Sequence, residues 1–403
     1  MARVIQKYGG TSVGDIDCIR VVANKIRESA SRGNEIVAVV SARAGVTDRL
    51  ISYAKALAIN PNAREFDALL CTGEQESVAL LSIALNEMGI KAVSLLAFQV
   101  GILTCSSHGN ARIKSIDGQR IEELLAAKNV VIVAGFQGIS EDGDLTTIGR
   151  GGSDLTALAL AHRLGADRCE IYTDVTGVHT GDPKIIENAQ LIENIDFESL
   201  LRLSFFDNKI MQDRSIALAQ KKNIPFTISN TFSGDSSKKT SVSSESNDYE
   251  STVIGVTNKT DLCLISCEST ENIALGILEF FEKNNVSVGF IKHRRIESAL
   301  FFDEISLNMF DFQNIKSEFR SNFRKYLVAF TVIENLSRID IIGTNIQASE
   351  KALRTFGIMA NEVILRSEYG KHGLSFLVQV SGEKYKTLLN EIHSAIFPAC
   401  ERK

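Results

Sequence analysis

The stretch Thr146-Thr147-Ile148-Gly149-Arg150-Gly151-Gly152-Ser153-Asp154 gathers a fixed cation, a carboxylate, hydroxyls and flexible glycines. An alanine- and leucine-rich run follows from Leu155 to Leu164, so the pattern reads as a loop feeding a helix N-terminus. Free backbone N–H groups and the helix dipole favour an anion at such a place. Arg150 can grip a carboxylate or phosphate through two parallel hydrogen bonds, and Asp154 can orient a cation.

A second candidate opens the chain. Lys7-Tyr8-Gly9-Gly10-Thr11-Ser12 follows a predicted strand and precedes a predicted helix. Gly9 and Gly10 permit close backbone approach, Thr11 and Ser12 can cap the helix, and Lys7 is a point charge at the same opening. This is not the Walker arrangement, because the lysine precedes the glycines. A tight turn beside a surface lysine would give the same string. Ser41 ends another predicted strand and can touch a ligand, while Thr47-Asp48 reads first as a helix cap. Glu74 sits in an otherwise apolar helical stretch, where burial is costly unless an ammonium group pairs with it. Thr173 and Asp174 end a further strand, with Asp182-Pro183-Lys184 close behind. An aspartate and a lysine there can meet a ribose and a phosphate, although Asp182-Pro183 is also an ordinary turn signal.

Two phosphate-friendly glycine turns, plus an arginine and a glutamate of opposite charge, suit phosphoryl transfer to a small zwitterion. Positioning and charge neutralisation do most of the catalysis in such reactions. The six histidines are dispersed and no cysteines fall at metal-ligand spacing, so no protein-held metal site is expected. Any metal is expected to be Mg²⁺ carried on nucleotide phosphates.

These residues need a scaffold that brings strand ends together. Up to about residue 232, Val4–Lys7, Glu35–Ser41, Ala92–Ala97, Val130–Ala134 and Cys169–Thr173 read as buried strands. Ile16–Glu28, Asp67–Met88, Ile121–Ala127 and Asp154–Leu164 read as helices between them. That alternation predicts a mainly parallel open sheet sandwiched by helices, with ligands beyond the carboxyl ends of its strands. The segment 233–251, dominated by serine and charge, reads as a linker or mobile loop. From 252 to 403 the pattern becomes two rounds of strand-helix-strand-strand-helix, which predicts paired, possibly interleaved, ferredoxin-like βαββαβ units.

Bulk properties exclude several classes. A length of 403 residues predicts two or three domains, and a net charge of −5 without a basic stripe argues against nucleic acid. No run of eighteen apolar residues occurs, so no membrane span is expected. The seven scattered cysteines, with Cys263 and Cys267 expected on one packed strand face, read as the reduced thiols of a cytoplasmic protein.

Taken in order, these motifs resemble those of the aspartate kinases in the amino acid kinase family. The resemblance runs through Lys7–Ser12 (KYGGTS), Val40–Leu50, Thr72–Gln75, His108–Ile113 (HGNARI), Ala134–Gly138 (AGFQG), Thr146–Asp154, Glu170–Val178 (EIYTDVTGV) and Asp182–Lys184, nearly all of residues 3–232. It implies ATP-dependent phosphorylation of the side-chain carboxylate of L-aspartate, or of a close analogue. Lys7 and Asp154 would organise the transferring phosphoryl group, while Gly9, Gly10 and Ser12 cradle phosphate. Glu74 would hold the substrate amine and Arg150 its α-carboxylate, with Ser41, Thr47 and Ser153 nearby. Thr173, Asp174, Asp182, Lys184 and Lys209 would fall on the nucleotide side. The same resemblance implies C-terminal ACT domains that build a homodimer or larger homo-oligomer.

Three departures from the family pattern stand out. Asp207-Asn208 replaces the usual Gly-Ala before Lys209, and Arg43 replaces a common methionine, adding a cation near the substrate mouth. The usual Pro-Gly turn before the first ACT helix is replaced by Ser269–Asn272 and by Ile346–Ser349. Arg43 and the tail keep open a paralogue acting on another acidic amino acid, and a non-catalytic regulatory subunit is the remaining alternative.

Overall fold

The computed structural model describes the chain except residues 150, 206–210, 236, 246–252, 285, 297–299, 345, 347–348, 360–363, 370–372, 381 and 399–403. The chain forms two compact units, the first from residues 1–179, 190–205 and the described part of 211–245. The second takes residues 180–189 and the described residues from 253 onward.

In the first unit the chain runs β1 (Arg3–Tyr8), α1 (Ile16–Ser31), β2 (Glu35–Val40), α2 (Val46–Leu57), α3 (Ala63–Glu87), β3 (Ala92–Leu95) and α4 (Ala97–Val100). It continues through β4 (Ile102–Thr104), β5 (Ile113–Ile116), α5 (Gln119–Ala126), β6 (Val130–Ala134), β7 (Gln137–Ile139), β8 (Leu145–Thr147), α6 (Gly152–Arg163) and β9 (Arg168–Thr173). The last elements are β10 (Asn194–Asp196), α7 (Phe197–Phe205), α8 (Asp213–Lys222), β11 (Phe226–Asn230) and β12 (Lys239–Ser243). Eight strands form one sheet in the order β10-β12-β11-β9-β1-β2-β6-β3, and β5-β4-β7-β8 form a smaller one. From β11 to β3 every pairing is parallel. After β1 the chain builds towards β2, β6 and β3, and β9 then returns on the other side of β1. The topological switch therefore falls between β1 and β9, where a parallel sheet opens a crevice at its carboxyl edge.

Continuous apolar runs such as Ile36-Val37-Ala38-Val39-Val40 make these strands, because both faces are covered. α1 buries Ile19, Val22, Ala23 and Ile26, a single helical stripe, and Asp15 caps it by accepting from Cys18 N–H at 2.8 Å. The cap is thus Asp15, and not Thr11 or Ser12. Likewise Thr47-Asp48 lies inside the first turn of α2, whose cap is Gly45 at a φ of 77°. The serine-rich segment is only partly a linker. Lys239–Ser243 forms β12, antiparallel to β11, since Thr240 and Val242 alternate inward and Thr240 Oγ1 donates to Ile192 O at 2.7 Å.

The second unit comprises β13 (Val253–Ser269), α9 (Ala274–Lys283), β14 (Val288–Arg295), β15 (Phe301–Asn308), α10 (Met309–Phe323), β16 (Leu327–Gly343), α11 (Glu350–Met359), β17 (Ile364–Tyr369), β18 (Gly373–Val378) and α12 (Gly382–Ile396). Its antiparallel sheet has the order β14-β15-β13-β16-β18-β17. The outer part of β13 and the start of β16 complete one ferredoxin-like half with β14 and β15. The end of β16 and the start of β13 complete the other with β18 and β17. The halves are interleaved, because the unit's first strand segment is the last strand of its second half. Cys263 and Cys267 do share one buried face, packed with Phe281, Phe312 and Phe319. The second half buries Val256, Ile341, Phe376 and Leu389 with Ile186, and Asn390 holds the backbone of Ile185 and Glu187. Residues 180–189 therefore belong to this unit, not to a first domain ending at 232.

Glu304 of β15 and Arg366 of β17 are ion-paired although their strands are four places apart in the sheet, so the sheet folds back on itself. Leu262, Leu264, Leu336 and Leu377 are buried as a cluster in that fold. Glu304 is 2% exposed, so removing its partner strands a carboxylate. Arg366→Ala is expected to destabilise the second unit by roughly 2–3 kcal/mol, a discounted figure because Arg366 is partly solvated. Urea unfolding tests this, and the isosteric pair Arg366→Met with Glu304→Gln should recover most of the loss.

Candidate active site

Lys7 is the penultimate residue of β1 and points to the sheet face covered by α6. Its Nζ lies 2.7 Å from Asp154 Oδ1, and each side chain is only 10% exposed. Asp154 occupies the first turn of α6, where the helix dipole adds a second favourable term for its charge. Of the two glycines beside Lys7, Gly10 is a spatial requirement while Gly9 leaves the space next to the ammonium group open. A Cβ on Gly10 would stand 2.7 Å from the Ala42 carbonyl oxygen, and one on Gly9 would stand 3.5 Å from Lys7 Nζ. Gly9 N–H donates to Tyr172 O at 3.2 Å, which binds this turn to the end of β9. Ser12 and Thr231 share a hydrogen bond of 2.6 Å, and Thr231 Oγ1 donates to Thr173 O at 3.1 Å. Thr173 in turn donates to the exposed Asp174 at 3.1 Å. Lys7, Gly9, Gly10, Ser12, Thr173 and Asp174 thus meet across the β1/β9 crevice.

The neighbouring strand end supplies a different chemistry. Ser41 N–H extends the ladder to Tyr8 O at 3.1 Å, and Ala42 N–H donates to Glu74 Oε1 at 3.0 Å. Gly73 makes that contact possible: a Cβ there would stand 2.8 Å from the Ala42 Cβ, so α3 comes unusually close. Glu74 is 3% exposed and its second oxygen has no partner, leaving a buried carboxylate oxygen available to a cationic ligand. Burial pushes the Glu74 carboxyl up to about 7, the Ala42 N–H acting in the opposite direction. Thr47 is half-buried in the first turn of α2.

Ser153 is buried at the start of α6, and Gly135 admits it, because a Cβ on Gly135 would stand 2.7 Å from Ser153 Oγ. Phe136, next along, has a φ of 69°, a backbone that costs an aromatic residue energy. Gly149 and Gly151 flank Arg150 with φ of 91° and 70°, while Arg150 itself lies outside the described residues, as does Lys209 with its neighbours Asp207 and Asn208. Asp182 and Lys184 fall in the second unit, where Asp182 Oδ1 accepts from Lys184 N–H at 2.9 Å as a turn-forming aspartate does. Arg43 is paired with Glu76 at 2.7 Å, so its charge is not free at the substrate mouth. Thr231, Phe136 and the fully buried Asp67 were missed by sequence reasoning. Only Phe136 had a local signal, its position between glycines in Gly135–Gly138. Among the described residues no group of histidine, cysteine, aspartate and glutamate has metal-ligand geometry.

A lysine–aspartate pair beside a glycine turn, and a buried carboxylate with an open oxygen, lie at the carboxyl edge of a doubly wound sheet. Residues 2–230 match the model of the amino acid kinase family. The chain is 42% identical to an aspartate kinase of Pseudomonas putida over 294 residues, 72% of each protein. It is 35% identical to an aspartate kinase of Pseudomonas fluorescens over 405 residues, covering 98% of this chain and 97% of that one. Its fold matches that of aspartokinase III of E. coli, solved with aspartate and ADP, at a TM-score of 0.78 and 22% identity over 98% and 99% of the two chains. The chain belongs to the amino acid kinase family, within its aspartate kinase branch.

The raised Glu74 carboxyl has a consequence for stability. Between about 4.5 and 7 the folded protein retains a proton that the unfolded chain has lost, so this residue's contribution declines as pH rises through that window. Glu74→Gln keeps the acceptor for Ala42 N–H and removes the buried charge. It is expected to raise stability at pH 8 by up to about 3 kcal/mol, to change it little at pH 4, and to abolish aspartate turnover. Unfolding of both proteins at the two pH values checks this; an equal shift at both would refute it.

Proposed function

We propose that this protein transfers the γ-phosphoryl group of ATP to the side-chain carboxylate of L-aspartate, giving 4-phospho-L-aspartate. The observation that carries the reading is the pairing of Lys7 and Asp154 at the β1/β9 crevice, beside the open oxygen of Glu74. Relatives sharing this architecture over their whole length are aspartate kinases.

In this reading the ammonium group of aspartate enters the Glu74 pocket and Arg150 takes its α-carboxylate, with Ser41, Thr47 and Ser153 around it. Those two opposite charges leave the side-chain carboxylate as the end free to react. One of its oxygens bonds to the γ-phosphorus, the bond to the bridging oxygen breaks, and ADP departs with the electron pair. Lys7 neutralises charge on the transferring group, and Gly9, Gly10 and Ser12 supply the close backbone approach for phosphate. Asp154 keeps the Lys7 ammonium aimed at that position. The cradle and Asp154 fit a nucleotide bearing Mg²⁺, which when bound would offset phosphate charge and be held through Asp154. Thr173, Asp174 and Lys209 are assigned to the nucleotide. The paralogue reading rested on Arg43 and the tail, and the ion pair of Arg43 with Glu76 removes the first of these supports.

An ADP-release assay over a panel of acidic amino acids tests the proposal, with L-aspartate expected as the preferred acceptor. Lys7→Ala should lower kcat about 100- to 1000-fold, the usual cost of losing one preorganised contact to transferring charge. Arg150→Lys should lower kcat/KM for aspartate, because lysine cannot reproduce a two-pronged grip. Activity of Lys7→Ala within a few-fold of the parent would remove it from the mechanism.

The ACT-type halves of the second unit are proposed to build a homo-oligomer of a cytoplasmic enzyme. The turn Ser269–Asn272 closes on itself through Ser269 Oγ and Glu271 O at 2.8 Å, in place of a Pro-Gly turn. Lysine at millimolar concentration is accordingly expected to inhibit weakly or not at all. Light scattering and a lysine titration check both points, and sharp inhibition at low concentration would defeat the second.

A further inference from the structure

Asp67 of α3 lies outside the reacting groups, has no exposed surface, and among the described residues collects more donors than any other carboxylate in the first unit. His108 Nδ1 stands 2.9 Å away, and Gly109 N–H lies 3.1 and 3.0 Å from its two oxygens. Thr147 donates twice, from N–H at 3.0 Å and from Oγ1 at 2.6 Å. Burying a carboxylate is expensive, and this many fixed donors offset the cost only while all three segments stay in place.

The three segments are the ones that define the substrate's two charges. Asp67 precedes Glu74 by two helical turns on α3, so both side chains leave the same face of one rigid rod. Thr147 ends β8, and Ile148 and Gly149 follow it directly on the way to Arg150 in the sequence. The loop carrying His108 and Gly109 lies against that segment: a Cβ on Gly149 would stand 3.2 Å from Asn110 Oδ1 and 3.3 Å from Gly109 O. Arg214 of α8 clamps the same loop and segment together, donating to Asn110 Oδ1 at 2.6 Å, Ala111 O at 3.1 Å and Ile148 O at 3.0 Å.

We infer that Asp67 is a positioning residue for substrate selection: by holding α3 to the end of β8 and, through the His108–Asn110 loop, to Ile148 and Gly149, it sets the span between the amine-binding Glu74 and the segment that leads into the α-carboxylate-binding arginine. This rests on the roles proposed above for Glu74 and Arg150. Loosening the span misplaces one of two contacts made simultaneously, and misplacement of about 1 Å can cost on the order of 100-fold. Gly9, Gly10 and Ser12 stand instead on β1 and on its contacts with the end of β9, so nucleotide recognition is expected to change much less than aspartate recognition.

The test is steady-state kinetics on the full chain with Asp67→Asn, Thr147→Val, Arg150→Lys and the two double variants that include Arg150→Lys. Asp67→Asn is expected to raise KM for aspartate about 10- to 100-fold, with KM for ATP within about twofold. Its preference for L-aspartate over the α-amide of L-aspartate, which lacks the α-carboxylate charge, should fall by a similar factor. Arg150→Lys should then cost less in the Asp67→Asn background than alone, by about fivefold or more, as coupled sites do. Thr147→Val removes one donor and should give the same pattern at smaller amplitude, which decides the matter if Asp67→Asn does not fold. Equal rises in both KM values, or strictly multiplicative losses with a damaging Arg150→Lys, would overturn this inference alone. An Arg150→Lys variant as active as the parent would overturn the α-carboxylate reading and this inference with it.

Discussion

Burying charge at the carboxyl edge of a parallel sheet is the constraint around which the first unit is built. Lys7, Asp154, Glu74 and Asp67 are each less than a tenth exposed, and each solves the problem differently. Lys7 and Asp154 neutralise one another at 2.7 Å, Asp67 is surrounded by donors, and Glu74 is left with one oxygen unmatched. A fully satisfied group stabilises structure; an unsatisfied one holds binding energy in reserve for a ligand that completes it.

Backbone geometry follows from the same constraint. Gly10, Gly73 and Gly135 are places where a methyl group would collide with Ala42 O, Ala42 Cβ or Ser153. Each lets an element carrying a charged or hydroxyl side chain approach a strand end. Gly73 is the clearest, because glycine inside a helix costs about 1 kcal/mol relative to alanine. That cost brings Glu74 within hydrogen-bond distance of Ala42 N–H. Without the approach, Glu74 would be a solvated helical glutamate.

Much of this was legible in the sequence, for a physical reason. Strands buried on both faces are written as unbroken apolar runs, so β1, β2, β6 and β9 stand out, and polar residues just after them mark the sheet edge. Residues whose role is set by distant partners leave no such trace. Asp67 lies in a sequence context like that of any helical aspartate, yet its partners are forty and eighty residues away. Thr231 was unreadable for the same reason, since Ser12 lies at the opposite end of the unit's sequence. Short strands such as β4, β5, β7 and β8 are too brief to show a period, and β12 is concealed because serine dominates its composition while Thr240 and Val242 carry its alternation.

Domain boundaries were the least legible feature, and the topology explains why. A cut placed at the composition change near residue 232 assumes that neighbours in sequence share a core. Here the chain leaves β9 at Thr173, and seven residues later Thr180 Oγ1 lies 2.8 Å from His393 Nε2 in the second unit. It then returns to contribute β10, β11 and β12 to the first sheet and α7 and α8 to the same unit. β13 repeats the manoeuvre, giving its opening residues to the second ferredoxin-like half and its later ones to the first. Because Ile186 is buried in the second core, neither unit can be completed from one uninterrupted stretch of chain.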